Sequence, residues 1–177
     1  MSFADLQRLP EDGRRFELYD GEVCELSAPM PRHQVAVSNI KRLLEAYAAR
    51  HGGLSLISPI DIVFSDYNVV QPDVVFFTQA RRHLVDFDAP TRSAPDLAVE
   101  ILSPSTRAND RGRKMAMFAR FGVQEYWIAD PAAACIEVYQ LQDTAYRVAA
   151  AACDNDVVPS PMLAGFEFLA SDAFRLP

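Results

Sequence analysis

The hydrophobic residues of this chain follow two different spacings, one typical of helices and one typical of strands. Apolar residues recur every three to four positions in 32–50 and in 107–121, which is the spacing of an amphipathic helix. Period-two alternation surrounds the pair Asp20-Gly21, a strong signal for a β-hairpin. Short apolar runs bounded by turn residues predict further strands, in the segments 54–64, 71–77, 96–103, 123–130, 135–142, 144–151 and 165–170.

The order of these elements predicts an α/β or α+β sandwich, in which a mixed sheet is flanked by two main helices. Ser2 is a plausible N-cap for a short helix through Leu9, and Ser105 or Thr106 for the second main helix. The length of 177 residues favours a single domain, residues 1–177, with a substantial hydrophobic core.

Composition narrows the class of protein. Half of the residues are hydrophobic and 23% are charged, no apolar run could span a bilayer, and the N-terminus lacks a secretion-signal pattern. Cys24, Cys135 and Cys153 are widely spaced and odd in number. They favour buried, unpaired thiols over a disulfide framework or a zinc site, and therefore a cytoplasmic protein.

The distribution of charge bears on nucleic-acid binding. A net charge of -7 argues against a simple nucleic-acid binder. Residues 107–120 nevertheless carry a local +4, and residues 31–50 a local +3. Two basic helices on an acidic body leave phosphate binding open, beside the alternative that these helix faces are simply solvated.

Two carboxylates fall on apolar strands. Glu100 shares its strand face with Ala98 and Leu102, and Asp73 opens the apolar run 74–77. An ionised carboxylate in such a position is costly unless it meets a cation or hydrogen-bond donors. A divalent cation would relieve the repulsion between two such acids, and oxygen ligands with water-filled positions suit Mg²⁺ or Mn²⁺.

Lys114 lies on the apolar face of its predicted helix, with Met117, Phe118 and Phe121. That face must pack on the sheet near the end of the Glu100 strand, so we expect the ammonium to reach the carboxylates. Lys114 is one of two lysines beside fifteen arginines, which favours a compact point charge at this position. Two acids, a lysine and a hard metal suit phosphodiester hydrolysis.

Each of these residues also has a purely structural interpretation. In this interpretation, Glu100 would form an internal salt bridge with Lys114 or an arginine, and Asp73 would cap a turn. Lys114 would extend along the side of the helix to water. The hydrophobic pattern alone leaves these alternatives open.

Several of the residues stand in motifs that resemble a known family. The segments are PD (72–73), EILSPST (100–106), Asp110, Lys114, GVQEYWIADP (122–131), FELYDGEV (16–23) and MPRH (30–33). They resemble the Uma-two family of restriction endonuclease-like proteins, within the PD-(D/E)XK nuclease superfamily, over residues 5–168. The resemblance implies a restriction endonuclease-like mixed sheet flanked by helices, and magnesium-dependent cleavage of nucleic acid.

The resemblance also implies roles for individual residues. Asp73 corresponds to the PD aspartate and Glu100 to the second acid, and both would hold the metal. The superfamily lysine usually stands two residues beyond the second acid, where this chain has Leu102. The resemblance suggests that the lysine has moved to the helix, at Lys114. A solvent-facing Lys114 would instead leave an incomplete site.

Three further residues are candidates for the same site. Glu17 matches an acid that many relatives supply from an N-terminal element, with an exposed hairpin carboxylate as the alternative. His33 lies on the apolar stripe of the first main helix, where we expect a half-buried, hydrogen-bonded histidine that supports the site at most indirectly. Asp110, one turn before Lys114, is placed to fix the orientation of the lysine.

The leading hypothesis is a Mg²⁺- or Mn²⁺-dependent endonuclease that acts on DNA, working as a homodimer as superfamily members often do. The acidic net charge and Leu102 motivate a second hypothesis, a catalytically inactive nuclease-fold scaffold or regulatory protein. A third is a hydrolase of a smaller phosphoester. Salt distinguishes the first from the third, because DNA binding weakens steeply as salt rises.

Overall fold

The structure, a computed structural model, describes residues 1–10 and 12–177. The helices are α1 (Phe3–Leu6), α2 (Pro31–His51), α3 (Arg107–Asn109), α4 (Met115–Arg120) and α5 (Ala170–Phe174), with a π-helical turn at Asp110–Lys114 and a 3-10 turn at Arg82–Leu84. The strands are β1 (Arg15–Tyr19), β2 (Glu22–Leu26), β3 (Leu54–Ile57), β4 (Ile62–Ser65), β5 (Asn68–Val70), β6 (Val74–Phe77), β7 (Leu97–Ile101), β8 (Glu125–Asp130), β9 (Cys135–Gln142), β10 (Ala145–Cys153), β11 (Val157–Pro159) and β12 (Glu167–Leu169).

A six-stranded sheet lies at the centre, in the order β10-β9-β8-β7-β6-β3. Its central pair, β7 and β8, is parallel, while β6 and β9 run antiparallel to their neighbours. A four-stranded sheet in the order β2-β1-β5-β4 carries the N-terminal hairpin, and β11 pairs with β12. This α+β architecture confirms the predicted mixed sheet flanked by helices.

Strand β7 separates two hydrophobic layers, because its successive side chains point to opposite faces. Leu97, Val99 and Ile101 pack in the layer that contains α2 and Trp127. Ala98 packs in the opposite layer, which contains the apolar side chains of α4. Both faces of β7 are therefore buried, as the sequence predicts, and its one carboxylate lies in the layer beside α4.

Helix α2 follows the predicted periodicity. It begins at Pro31, ends before Gly52 (φ 76°), and buries Val37, Ile40 and Leu44 against the sheet. A positive φ is accessible to glycine at little cost, which explains the sharp end of the helix. Within residues 1–10 and 12–177, no helix combines the length and the apolar character that crossing a membrane requires.

The hairpin turn also agrees with its sequence signal. Asp20 (φ 49°) and Gly21 (φ 84°) both have positive φ, as a two-residue turn of the type that matches strand twist requires. Helix α1 is shorter than predicted and ends at Leu6, although Ser2 caps it with a reciprocal bond to Asp5.

Two local predictions differ from the structure around the site. Strand β5 was not predicted from the sequence. It is only three residues long and is followed directly by Gln71-Pro72, so it shows no alternating pattern. The helix over 107–120 is interrupted by the π turn, and a side-chain cap does not form at Ser105 or Thr106. Thr106 is the N-cap but makes no capping bond with its side chain, while Ser103 Oγ accepts a hydrogen bond from the Thr106 N–H (3.2 Å).

The cysteine prediction is wrong for at least two of the three residues. Cys135 and Cys153 form a disulfide across the β9-β10 hairpin, where they are directly paired with a Cα–Cα distance of 4.1 Å. Strand register brings them together despite a sequence separation of 18 residues. Cys24 is half-buried rather than buried. A cytoplasmic location stays a prediction, but it no longer draws support from the cysteines.

Candidate functional site

A pocket of about 340 Å³ contains all six residues that the sequence singles out. They are Glu17, His33, Asp73, Glu100, Asp110 and Lys114. We call this cavity the acid pocket, since four carboxyl groups line it. The structure brings the predicted residues together from five separate segments, while their chemical roles stay predictions.

Strand pairing places Asp73 beside Glu100. Val74 pairs with Val99, so Asp73, which directly precedes β6, comes opposite Glu100 on β7. Asp73 Oδ2 accepts a hydrogen bond from the Ile101 N–H (2.8 Å) on the neighbouring strand. The Asp73 side chain is thus bonded across the sheet and directed into the pocket.

His33 fixes the other oxygen of Asp73. The first turn of α2 places His33 Nε2 3.0 Å from Asp73 Oδ1, where the ring N–H donates to the carboxylate. The His33 side chain is 12% exposed. This agrees with the expected half-buried, hydrogen-bonded histidine, and it gives His33 a direct hold on the orientation of Asp73.

Lys114 points into the protein rather than to water. Its side chain is 4% exposed, and Nζ lies 2.8 Å from Glu100 Oε1 and 2.9 Å from Glu17 Oε1. The alternative in which Lys114 extends to solvent is therefore wrong. So is the exposed hairpin carboxylate, since Glu17 is 0% exposed.

A hydrogen-bond network holds Glu17 in place. Tyr19 Oη donates to Glu17 Oε2 (2.7 Å), and the Gln71 N–H donates to Oε1 (2.8 Å). Asn109 Nδ2 donates to Tyr19 Oη (2.8 Å), which links the hairpin to the 107–120 helix. Sequence reasoning missed these three partners, although period two already puts Tyr19 on the face of Glu17.

The pocket holds more negative than positive charge. Burial raises the pKa of Glu100 well above its usual value; Lys114 opposes this, and the neighbouring carboxylates add to it. Burial by itself would lower the pKa of Lys114, but Glu100 and Glu17 outweigh it and raise that pKa. Lys114 therefore stays charged, and Glu100 retains a proton to a higher pH than an exposed glutamate does.

Three buried polar atoms of pocket-lining residues have no hydrogen-bond partner among the described residues: Glu100 Oε1, Gln71 Oε1 and His33 Nδ1. Glu100 Oε1 is in ionic contact with Lys114, but the ammonium does not approach it in a direction that makes a hydrogen bond. A buried polar atom left without a partner is costly and is common where a site binds an ion, a water or a ligand.

Asp110 occupies the π turn with its side chain buried. Burial raises the pKa of Asp110 from 3.8 to about 6. The charge of Lys114 and a hydrogen bond with Thr106 lower this pKa, while the charges of Asp73 and Glu17 raise it. The ion pairs that Lys114 forms among the described residues are with Glu17 and Glu100. That Asp110 orients the lysine stays a prediction. In the structure Asp110 would act on Lys114 through its charge, not through a direct ion pair.

The raised pKa of Asp110 predicts a specific dependence of stability on pH. The folded state holds the Asp110 proton more tightly than the unfolded chain does, so stability falls as pH rises from 3.8 to about 6. We expect Asp110→Asn to remove about 3 kcal/mol of that decline. The variant should therefore exceed the wild type in stability at pH 7, measured by urea unfolding between pH 4 and pH 7.

Asp143→Asn is the matched control for this experiment. It makes the same chemical change at an exposed turn residue, where a φ of 55° suits asparagine. Its stability should run parallel to that of the wild type over the whole pH range. Parallel curves for Asp110→Asn as well would show that folding does not raise the pKa of Asp110.

The basic character of the 107–120 helix is largely compensated. Four of its arginines pair with carboxylates: Arg107 with Asp130, Arg111 with Glu137, Arg113 with Glu22 and Arg120 with Asp20. Arg15, which lines the acid pocket, contacts only neutral groups in the described part of the chain, Ser58 Oγ (3.0 Å) and the Ser27 carbonyl (3.3 Å). Its charge remains available to an anion in the pocket.

The described residues contain no group of three or more His, Cys, Asp or Glu side chains arranged around a metal position. A metal in the acid pocket would therefore rest on two protein carboxylates, those of Asp73 and Glu100. This is compatible with Mg²⁺, which usually keeps several waters and binds through one or two carboxylates and substrate phosphates.

Comparison with solved structures shows the same fold in another protein. It is described as a "putative nuclease belonging to DUF820", from Anabaena variabilis ATCC 29413, and is 19% identical to this chain. The superposition has a TM-score of 0.80 and covers 98% of this chain and 97% of that one. At this identity the similarity supports the fold and carries no residue-level role.

Comparison with curated proteins finds no significant relative. Among protein families, the one described as "Putative restriction endonuclease" matches residues 3–172. This range includes every residue of the acid pocket and all twelve strands. The segments that suggested the resemblance all lie within it, and with so extensive a match the chain belongs to the Uma2 family.

Proposed function

We propose that this protein is a Mg²⁺- or Mn²⁺-dependent endonuclease that cleaves DNA at the acid pocket. The observation that carries the proposal is the position of Lys114. It reaches from the 107–120 helix to Glu100 on β7, next to Asp73. An ammonium and two sheet carboxylates thus converge in one cavity that is open to a substrate.

The residues of the pocket fit a divalent cation. Four carboxyl groups face one ammonium, Glu100 Oε1 lacks a hydrogen bond, and burial favours protons on Glu100 and Asp110. A hard cation held by Asp73 and Glu100 would replace those protons and balance the charge. When bound, it would supply activation of a water and stabilisation of charge on the phosphate.

The protein side chains have separate tasks in this proposal. His33 holds the Asp73 carboxylate in one orientation through the 3.0 Å hydrogen bond. Lys114, kept charged by its acidic neighbours, donates to the phosphate oxygens where negative charge builds up in the transition state. Glu17 keeps the ammonium in place, and Arg15 binds a phosphate of the substrate backbone.

The position of Lys114 also bears on the alternative of an inactive nuclease-fold scaffold. That alternative rested on the acidic net charge and on Leu102, the inert residue at the usual lysine position, and the structure bears on the second of these. Leu102 is 5% exposed and packs in the hydrophobic layer beside α4. Lys114 supplies the missing charge to the same carboxylate from another element, which favours an active enzyme.

Nuclease activity is tested directly with fluorescently labelled DNA. We expect cleavage with Mg²⁺ or Mn²⁺, none with a chelator, and recovery when the metal is restored. Binding should weaken as salt rises, which distinguishes a DNA substrate from a small phosphodiester. Metal-dependent hydrolysis of a small diester with salt-independent binding would instead support the smaller phosphoester, and no hydrolysis at all would support the scaffold.

Three further assignments belong to the same proposal. The chain acts as one domain over residues 1–177, works as a homodimer, and resides in the cytoplasm. The edge strands of the central sheet, β10 and β3, and helix α2 are candidate elements for pairing between two copies.

A further inference from the structure

A second pocket, of about 430 Å³, adjoins the acid pocket. The two cavities share Met30, His33, Ser103 and Pro104 as a common wall. His33 is the residue that bonds to Asp73, so the shared wall lies next to the proposed reacting centre. A substrate that extends beyond the acid pocket on this side must enter the second one.

The lining of the second pocket differs in chemistry from that of the first. Its remaining residues are Arg32, Leu102, Pro131 and Ala132, and none of its lining residues carries a carboxyl group. Flat apolar surfaces such as proline rings suit the face of a planar ring. The carboxylates needed for metal binding are all on the other side of the shared wall.

Arg32 adds a free positive charge at this pocket. It is exposed in the first turn of α2, and none of the described carboxylates lies within ion-pair distance of it. A guanidinium can stack on a nucleobase and bind the adjacent phosphate with the same planar group. An apolar floor with one free arginine is therefore complementary to a nucleotide.

We propose that this second pocket binds the nucleobase next to the scissile phosphate. We call it the base subsite, formed by Arg32, Leu102, Pro104, Pro131 and Ala132. The inference rests on the proposed nuclease function, since it takes the acid pocket as the place of the phosphate. One nucleotide then spans the shared wall, with its phosphate near Asp73 and its base beyond His33.

The base subsite defines a substrate class. A base inside a duplex is paired and stacked, so its face is not available to a protein pocket unless the nucleotide is flipped or unpaired. The subsite therefore selects single-stranded or locally unpaired DNA over an intact duplex. It reads the presence of a base rather than its identity, because every base has a flat face to stack.

The test compares two fluorescent single-stranded oligomers of equal length, oligo(dT) and an abasic oligomer. Both have the same backbone charge, and only the first has bases. We expect the wild type to bind oligo(dT) about tenfold more tightly than the abasic oligomer, by fluorescence anisotropy. Oligo(dT) should also bind more tightly than a blunt duplex of the same length.

Ala132→Phe places a ring in the base subsite, and Ala133→Phe is its matched control. Ala133 is the exposed neighbour in the same turn and does not line the pocket. We expect Ala132→Phe to weaken oligo(dT) binding about tenfold while abasic binding is unchanged, and Ala133→Phe to behave as the wild type. In cleavage assays Ala132→Phe should raise KM and leave kcat nearly unchanged.

The outcomes separate this inference from the proposed function. Cleavage without any preference for bases would overturn the base subsite and leave the nuclease intact. Base-dependent binding that Ala132→Phe removes would support the subsite, even if no cleavage were seen. The wild-type comparison needs no variant, so equal binding of the two oligomers overturns the inference whether or not Ala132→Phe folds.

Discussion

Glu100→Gln is expected to abolish both Mg²⁺ binding and DNA cleavage while leaving the protein folded. Loss of groups that merely support a metal ligand costs about 10–100-fold in affinity or activity, so loss of a ligand should exceed about 100-fold. The amide is nearly isosteric, and Lys114 keeps its contact with Glu17 at 2.9 Å. Calorimetric titration with Mg²⁺ and Mn²⁺ measures the binding, and labelled DNA measures the cleavage.

The stability of the same variant provides a second readout. Burial raises the pKa of Glu100, so its ionised form destabilises the folded protein at neutral pH. We therefore expect Glu100→Gln to be at least as stable as the wild type at pH 7 by urea unfolding. A purely structural salt bridge predicts the opposite, a less stable protein with no change in metal binding.

Glu125→Gln is the matched control. Glu125 is also a fully buried glutamate of the central sheet, but its partners are Trp127 (2.7 Å), Ser160 (2.7 Å) and the Met162 N–H (3.0 Å), outside the acid pocket. This variant should keep its metal affinity and cleavage. If the two variants lost metal binding equally, the effect would reflect the removal of any buried acid.

Lys114→Met is expected to cause the largest loss of stability. It removes the cation from between Glu17 and Glu100, and breaking a buried ion pair from one side costs about 3–5 kcal/mol. The loss should be smaller at pH 5 than at pH 8, since the acids with raised pKa values, Glu100 and Asp110, take up protons there. Urea unfolding at both pH values measures it.

The second lysine of the chain provides the control for this change. Lys41 is 31% exposed and pairs with Glu45 on the surface of α2, so Lys41→Met should cost about 0.5 kcal/mol or less. Combining Glu17→Gln with Lys114→Met should recover part of the lost stability, because it removes one unpaired carboxylate. A Lys114→Met protein as stable as Lys41→Met would mean that the ammonium does not balance the pocket.

The central part of the fold follows from sequence because its signals are local and strong. The apolar stripe of α2, the Asp20-Gly21 turn and the double-sided apolar run of β7 each specify one element without help from the others. Strand β5 does not, since three residues carry no measurable period. It forms only because β1 and β4 provide partners on both sides.

The candidate site was predictable where a charged residue broke an apolar pattern. Glu100 and Lys114 stand out because each occupies a buried position that would otherwise suit a hydrophobic residue, and Asp73 stands out because it directly precedes the fully buried strand β6. Arg15 and Gln71 give no such signal, since a polar residue at a strand end is ordinary. Their place in the pocket follows from how the two sheets meet, which no local pattern encodes.

The disulfide illustrates the same limit of local reasoning. The spacing of Cys135 and Cys153 says nothing by itself about pairing, and only the register of the β9-β10 hairpin puts them opposite each other. That register depends on the bulge between Val148 and Ala150 as well as on the turn. The number and spacing of the cysteines therefore did not predict the disulfide, because the alignment of β9 and β10 determines it.

The wide turn at Asp110–Lys114 makes the site sensitive to chain length as well as to residue type. An α-helix advances about 100° per residue, so a one-residue deletion that regularised this turn would rotate one end of the helix against the other by that angle. The apolar face of α4 could then not stay packed on the sheet while Asn109 kept its hydrogen bond to Tyr19. Insertions and deletions here should be far less tolerable than substitutions, even at a position as open as Gly112, where an added Cβ would meet nothing within 4 Å.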